Sequence, residues 1–192
     1  MRGRGDEEVL RFASQAGFES WLERNHDGGA GIWLEIAKKG TSEPTVTYDE
    51  AVEAALCFGW IDGQKASGDD AFWLQRFTPR SRRSRWSRIN RDKAERLLDE
   101  GRVRRPGVAE IERARADGRW NTAYEGQRTA RIPDDLRGAL DADPVAADAF
   151  AKLDARNRYA IIWRLNDAKR AETRTRRLAT FVDMLHRGGT IH

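Results

Sequence analysis

Apolar residues recur at helical spacing along most of the chain and alternate with polar ones in a few short stretches, so the pattern divides it into a mixed first part and a helical second part. Phe18, Trp21 and Leu22 make a stripe behind Ser14, whose hydroxyl suits the free amides of a helix start, and this helix is expected to end near Asn25-His26, before Gly28-Gly29. Ile32, Leu34 and Ile36 then alternate with Trp33 and Glu35, the period of a strand. Thr47 and Glu50 stand at capping-box spacing, which predicts a helix from Tyr48 to Phe58, with Gly59 as a left-handed stop. Trp60 to Gln64 and Ala71 to Thr78 read as two strands joined through Ala66-Ser67-Gly68-Asp69.

From Ser87 onward the period is helical. Asn90 is expected to cap a helix over Arg91 to Glu100, Pro106 to open one ending at Gly118, and Pro133 to open a short one. Asp143-Pro144 begins a helix to Leu153, and Asp154 caps one reaching about Ala168. A last helix carries Leu178, Phe181, Val182 and Leu185 on one face. The expected fold class is α+β and predominantly helical, with a small antiparallel sheet among helices in the amino-terminal half and a helical bundle in the carboxy-terminal half. Residues 1–86 form the α+β half in this reading, 87–132 a helical connector and 133–192 a helical module. Gly118 to Ile132 is the longest irregular stretch, anchored by Trp120 and Tyr124.

Composition agrees with a folded chain. It has 192 residues, 39% of them hydrophobic and 34% charged, with seven tryptophans, enough to bury a core without staples. Cys57 is the only cysteine, so no internal disulfide forms, and its setting in Ala54-Ala55-Leu56-Cys57-Phe58 points to a buried, inert thiol. Met1 to Glu8 runs basic and then acidic, no apolar stretch of signal-peptide length follows, and no run reaches membrane-spanning length; a soluble, cytoplasmic protein with no membrane insertion is expected. The formal net charge of +4 arises from 35 basic against 31 acidic residues, which makes global charge a weak pointer to any polyanion.

Local charge is more telling. Arg76, Arg80, Arg82, Arg83, Arg85, Arg88, Arg91 and Lys93 are interrupted by one acid, Asp92, and interleaved with Thr78, Ser81, Ser84, Ser87 and Asn90 around the flat face of Trp86. Such a stretch has the parts that phosphate or carboxylate binding needs, although a solvated basic loop packed by Pro79 and Trp86 is the plainer alternative. Asp62 stands in Phe58-Gly59-Trp60-Ile61-Asp62-Gly63, an apolar setting in which a carboxylate needs a partner. Arg76 or Arg80 on the neighbouring strand could clamp it; a catalytic Asp62 beside Gly63 and Lys65 is the other reading. A second cluster, Lys169, Arg170, Arg174 and Arg177, begins the last helix, where cations oppose the helix dipole unless an acid or a bound anion compensates them. His26, His186 and His192 have no metal-ligand spacing, and no Walker or Rossmann glycine pattern occurs, so neither a metal nor a cofactor is expected.

Several stretches together resemble the bacteriocin-protection, YdeI/OmpD-associated family: Trp33 to Lys39, Tyr48 to Ala51, Ala55 to Gly63, Phe77-Thr78-Pro79-Arg80, Ser84 to Asn90, and Ala168-Lys169-Arg170 followed by Thr173-Arg174 and Arg176-Arg177. The resemblance extends over most of the chain, and roughly Pro133 to Gly188 looks like that family's helical module. Gly101 to Gly107 departs from it, where relatives are expected to carry a methionine and fewer charges. The resemblance implies a bacterial protein linked to tolerance of bacteriocins or other antimicrobial peptides, and it transfers no catalytic residues.

The function expected from these readings is non-catalytic binding of an anionic, phosphate- or carboxylate-bearing small molecule in a basic cleft formed by Asp62, Arg76, Arg80, Ser84, Trp86 and Ser87, joined by Lys169, Arg170, Arg174 and Arg177. The alternatives are an enzyme acting on a small phosphorylated or carboxylated metabolite with Asp62 as acid or base, and nucleic-acid binding through Arg76 to Lys93 with Trp86 stacking on a base.

Overall fold

A computed structural model of the chain describes residues 7–127 and 129–192. Met1 to Asp6, most of the basic-then-acidic stretch, lie outside the described residues. The described residues form four strands and eight helices in two compact units, one reaching to Tyr124 and the other starting at Glu125.

The first unit contains β1 (Val9–Leu10), α1 (Gln15–Asn25), β2 (Ile32–Ala37), α2 (Tyr48–Cys57), β3 (Trp60–Ser67), β4 (Phe72–Pro79), α3 (Arg88–Asp99) and α4 (Arg105–Ala116). The sheet order is β1-β2-β4-β3. β4 pairs antiparallel with both neighbours, as the alternation predicts, while the two-residue β1 adds a parallel edge to β2 and makes the sheet mixed. Between Asp62 and Lys65 the β3–β4 register shifts. Buried Gln75 holds that irregularity, its side-chain amide donating to the carbonyls of Gly63 at 3.0 Å and Gln64 at 3.2 Å.

Helix starts follow local chemistry. Ser14 caps α1, and Thr47 and Glu50 form the full capping box at α2. Gly59 has φ +74°, the left-handed turn that lets the chain leave α2 and enter β3 at once. The helix after Trp86 begins a turn earlier than Asn90 implies: Ser87 is the cap, its hydroxyl accepting from the Asn90 amide at 3.2 Å. Main-chain pairing decides this, because Arg88 N donates to Tyr124 O at 2.8 Å and Tyr124 N to Trp86 O at 3.0 Å, holding Ser87 extended.

α3 and α4 pack on α2 and bury Leu97 and Ile111 in the same core as Phe18, Leu34, Phe77, Trp60, Trp86 and Trp120. Cys57 sits in this seam, 2% exposed, and burial raises its thiol to about 11, the inert state its setting implies. Gly107 on α4 lies so close to the Cys57 carbonyl that a side chain there would collide with it.

The second unit is helical: α5 (Asp134–Asp141), α6 (Pro144–Lys152), α7 (Ala155–Asn166) and α8 (Ala171–His186). Asp143 and Asp154 cap α6 and α7 as their positions predict, and Leu136, Phe150, Ile161, Leu165, Phe181 and Leu185 fill the core. α5 and α8 have no such cap: Pro133 and Arg170 stand at their cap positions and make no side-chain capping bond. No described helix is long and apolar enough to cross a membrane.

Candidate functional site

Six of the ten candidate residues fall in the first unit and four in the second. In the first unit the expected Asp62–arginine clamp is absent. Asp62 accepts a hydrogen bond from the Tyr48 hydroxyl at 2.7 Å, joining the start of α2 to β3. Partial burial and that carboxylate both hold the Tyr48 phenol well above its ordinary value, so it stays a donor. Arg76 turns to the opposite strand neighbour and pairs in two-pronged fashion with Glu7, whose carboxyl is lowered by the contact. The strand order explains the exchange: β4 lies between β3 and β2, and Glu7 enters just ahead of β1 on the β2 side.

Arg80 is the unusual residue. It follows β4, its amide bonded to Gly59 O at 3.0 Å, and it is only 6% exposed. Its guanidinium lies 3.6 Å from the centre of the Trp86 ring, and Nη1 donates to Arg85 O at 3.2 Å. Nε and Nη2 are buried without a hydrogen-bond partner. Burial pushes the guanidinium down to about 9, which still leaves it charged near neutrality. Trp86 is itself 1% exposed and packs edge-on to Trp120 at 4.7 Å, so its face serves Arg80 and no base can stack on it.

Above this buried layer the chain makes a tight turn. Ser81 N donates to Ser84 Oγ at 2.9 Å, Ser84 N to Ser81 O at 3.0 Å, and Arg83 N to Ser81 Oγ at 3.2 Å. The turn is thereby fixed while Arg82 and Arg83 remain exposed, and neither makes an ion pair among the described residues. Ser84 and Ser87 are therefore framework, one closing the turn and the other capping α3. Farther along the same segment the charges are neutralised: Arg91 meets Asp92 at 3.0 Å, and Lys93 meets Asp49 at 3.1 Å.

Arg119 is a participant the residue pattern did not single out. Its Nη1 donates to Ser84 O at 2.8 Å and to the buried Glu110 at 3.1 Å, its Nε pairs with Asp117, and its Nη2 is buried without a partner. Nothing local in Asp117-Gly118-Arg119-Trp120 marks it; only the return of the chain beneath the turn does.

In the second unit Arg174 bonds both oxygens of Asp135, at 2.6 and 2.8 Å, and Leu165 O at 2.8 Å, and Asp135 is lowered mainly by those bonds. Arg177 donates to Arg164 O and lies 4.0 Å from Asp167. The inward arginines of α8 thus have acids and carbonyls of their own unit. Lys169 and Arg170 are exposed at the helix start. Arg164, Arg176, Arg177 and Thr180, with Trp163 and Phe181, line a shallow cavity of about 450 Å³ in this unit.

Among the described residues no group of three or more His, Cys, Asp or Glu side chains could hold a metal ion. Residues 10–110, just over half of the chain, match the model of a family described as a domain of unknown function, DUF8412. The chain belongs to that family. Residues 129–188 match a second model, bacteriocin-protection, YdeI or OmpD-associated. The resemblance read from the residues is thus found in the second unit, and its amino-terminal stretches from Trp33 to Asn90 fall within the DUF8412 match. No curated protein and no solved structure matches the chain.

Proposed function

We propose that the protein is a binding protein with a part in bacteriocin protection, and that its first unit takes an anionic group, phosphate or carboxylate, on the turn from Ser81 to Arg85. The match of residues 129–188 supports the first half of this reading. The observation that carries the second is the turn itself, locked by the Ser81 and Ser84 hydrogen bonds while Arg82 and Arg83 stay exposed and, among the described residues, without an ion pair. A cationic turn that is already rigid loses little conformational entropy when it takes up a ligand, which raises the affinity of each contact. Asp62 is engaged as the acceptor of Tyr48, so the reading assigns it no chemistry.

Titration calorimetry with inorganic phosphate, pyrophosphate and citrate tests the reading. The double variant R82S/R83S is expected to weaken the best of these ligands at least tenfold, and unchanged affinity would discard the turn as the site. Tight binding of a single-stranded oligonucleotide that collapses as salt rises, with no response to the small anions, would replace this reading by nucleic-acid binding.

A further inference from the structure

Four of the five buried side-chain nitrogens that lack a partner among the described residues belong to Arg80, Trp86 and Arg119. They are neighbours. Arg119 Nη1 bonds Ser84 O and Arg80 Nη1 bonds Arg85 O, so consecutive carbonyls each hold one guanidinium, the charge of Arg119 acts on Arg80, and Arg80 lies against the Trp86 ring. Arg119 has Glu110 and Asp117 as counter-charges, but no carboxylate lies within hydrogen-bond reach of Arg80 among the described residues. Asp62, committed to Tyr48, favours the Arg80 charge only through space, against the burial that opposes it. A buried cation whose N–H groups have no acceptor is a strongly unfavourable arrangement unless something accepts those hydrogens and adds to that offset.

We propose that Arg80 and Arg119 hold a small monovalent anion, a halide such as chloride, in the interior of the first unit beneath the basic turn. The ion accepts from Arg80 Nε and Nη2 and from Arg119 Nη2, with the Trp86 indole N–H as a further donor. Size follows from burial: every one of these nitrogens is sealed from solvent, so a compact ion that sheds its water readily fits where an extended phosphate ester does not. Charge follows from the donors, because water accepts hydrogen bonds but adds no charge to the partial, through-space offset that Asp62 gives Arg80. Arg80 and Glu110 also line a cavity of about 350 Å³ between the end of α1, the Gly59 turn and the start of α4, which gives an ion a route inward. The site is independent of Arg82 and Arg83 and does not rest on the function proposed for them.

Bromide, which replaces chloride and is seen by its anomalous scattering, gives the direct test. A crystal of the full chain grown in sodium bromide is expected to show an anomalous peak in hydrogen-bond contact with Arg80 and Arg119. Water density there without anomalous signal, or bromide only at exposed arginines, overturns the proposal. In solution the melting temperature of the native chain is expected to rise when sodium gluconate is exchanged for sodium chloride at constant ionic strength, by mass action on the folded state. That shift should vanish in Arg80→Met and persist in R82S/R83S; equal melting temperatures of the native chain in the two salts also overturn it.

Discussion

Arg174 and Arg80 are each drawn towards the interior of a unit, and they meet opposite surroundings. Arg174 finds both oxygens of Asp135 and a helix-end carbonyl, so charge and hydrogen bonds are satisfied together. Arg80 finds an aromatic face and one carbonyl, with two nitrogens left over. The first arrangement is that of a clamp, in which the arginine's value lies in joining α5 to the start of α8. The second has the form of a receptor, in which the aromatic ring fixes the guanidinium and its unused donors await an acceptor. What separates them is whether a neighbouring element brings an acid, and α5 does while β3 gives its Asp62 to Tyr48.

The largest effect expected from breaking this contrast is at Trp86. Trp86→Ala removes a fully buried side chain along with the ring beneath Arg80 and should cost about 3–5 kcal/mol in urea denaturation. Next come matched replacements at the two arginines. Arg174→Met leaves Asp135 without its partner and should lose about 1–2 kcal/mol, the pair being partly exposed. Arg80→Met, in halide-free buffer, should fall between no change and a gain of about 1–2 kcal/mol, because an unpaired buried cation gives way to an apolar chain of similar length. Equal losses at both positions would erase the distinction.

The clamp also predicts a pH dependence. Asp135 is lowered in the folded state, so its contribution to stability is complete above the ordinary carboxylate range near pH 4 and is lost as pH falls through the depressed value. Asp135→Asn should flatten that part of the acid limb in a pH series of melting curves. A smaller gain is expected at the start of α8, where Arg170→Asp supplies the missing cap and a favourable charge for the helix dipole, about 0.5–1 kcal/mol. Smallest is R82S/R83S, within about 0.5 kcal/mol of the native chain, since both arginines are exposed and make no ion pair among the described residues.

Much of the fold is written in short-range chemistry. Ser14, Thr47 with Glu50, Gly59, Asp143 and Asp154 each act on amides or dihedrals within a few residues, so their roles follow from type and spacing. Ser87 and Asn90 show where this stops: both are good caps one turn apart, and the choice is made by a main-chain bridge to Tyr124. The site depends still more on distant partners. Arg76 pairs with Glu7 across 69 residues, and Arg119 reaches Ser84 across 35, separations at which no local pattern carries information. Charge spacing found the cationic segments, while which arginines are neutralised depends on sheet order and on the path after α4.

Cys57 turns the packing at the end of α2 into a clock. A maleimide can reach the thiol only after the packing around the end of α2 opens, and the chain has no second cysteine to confuse the count. The rate at which the native protein takes up label therefore measures how often the packing around α2 opens, without any engineered probe.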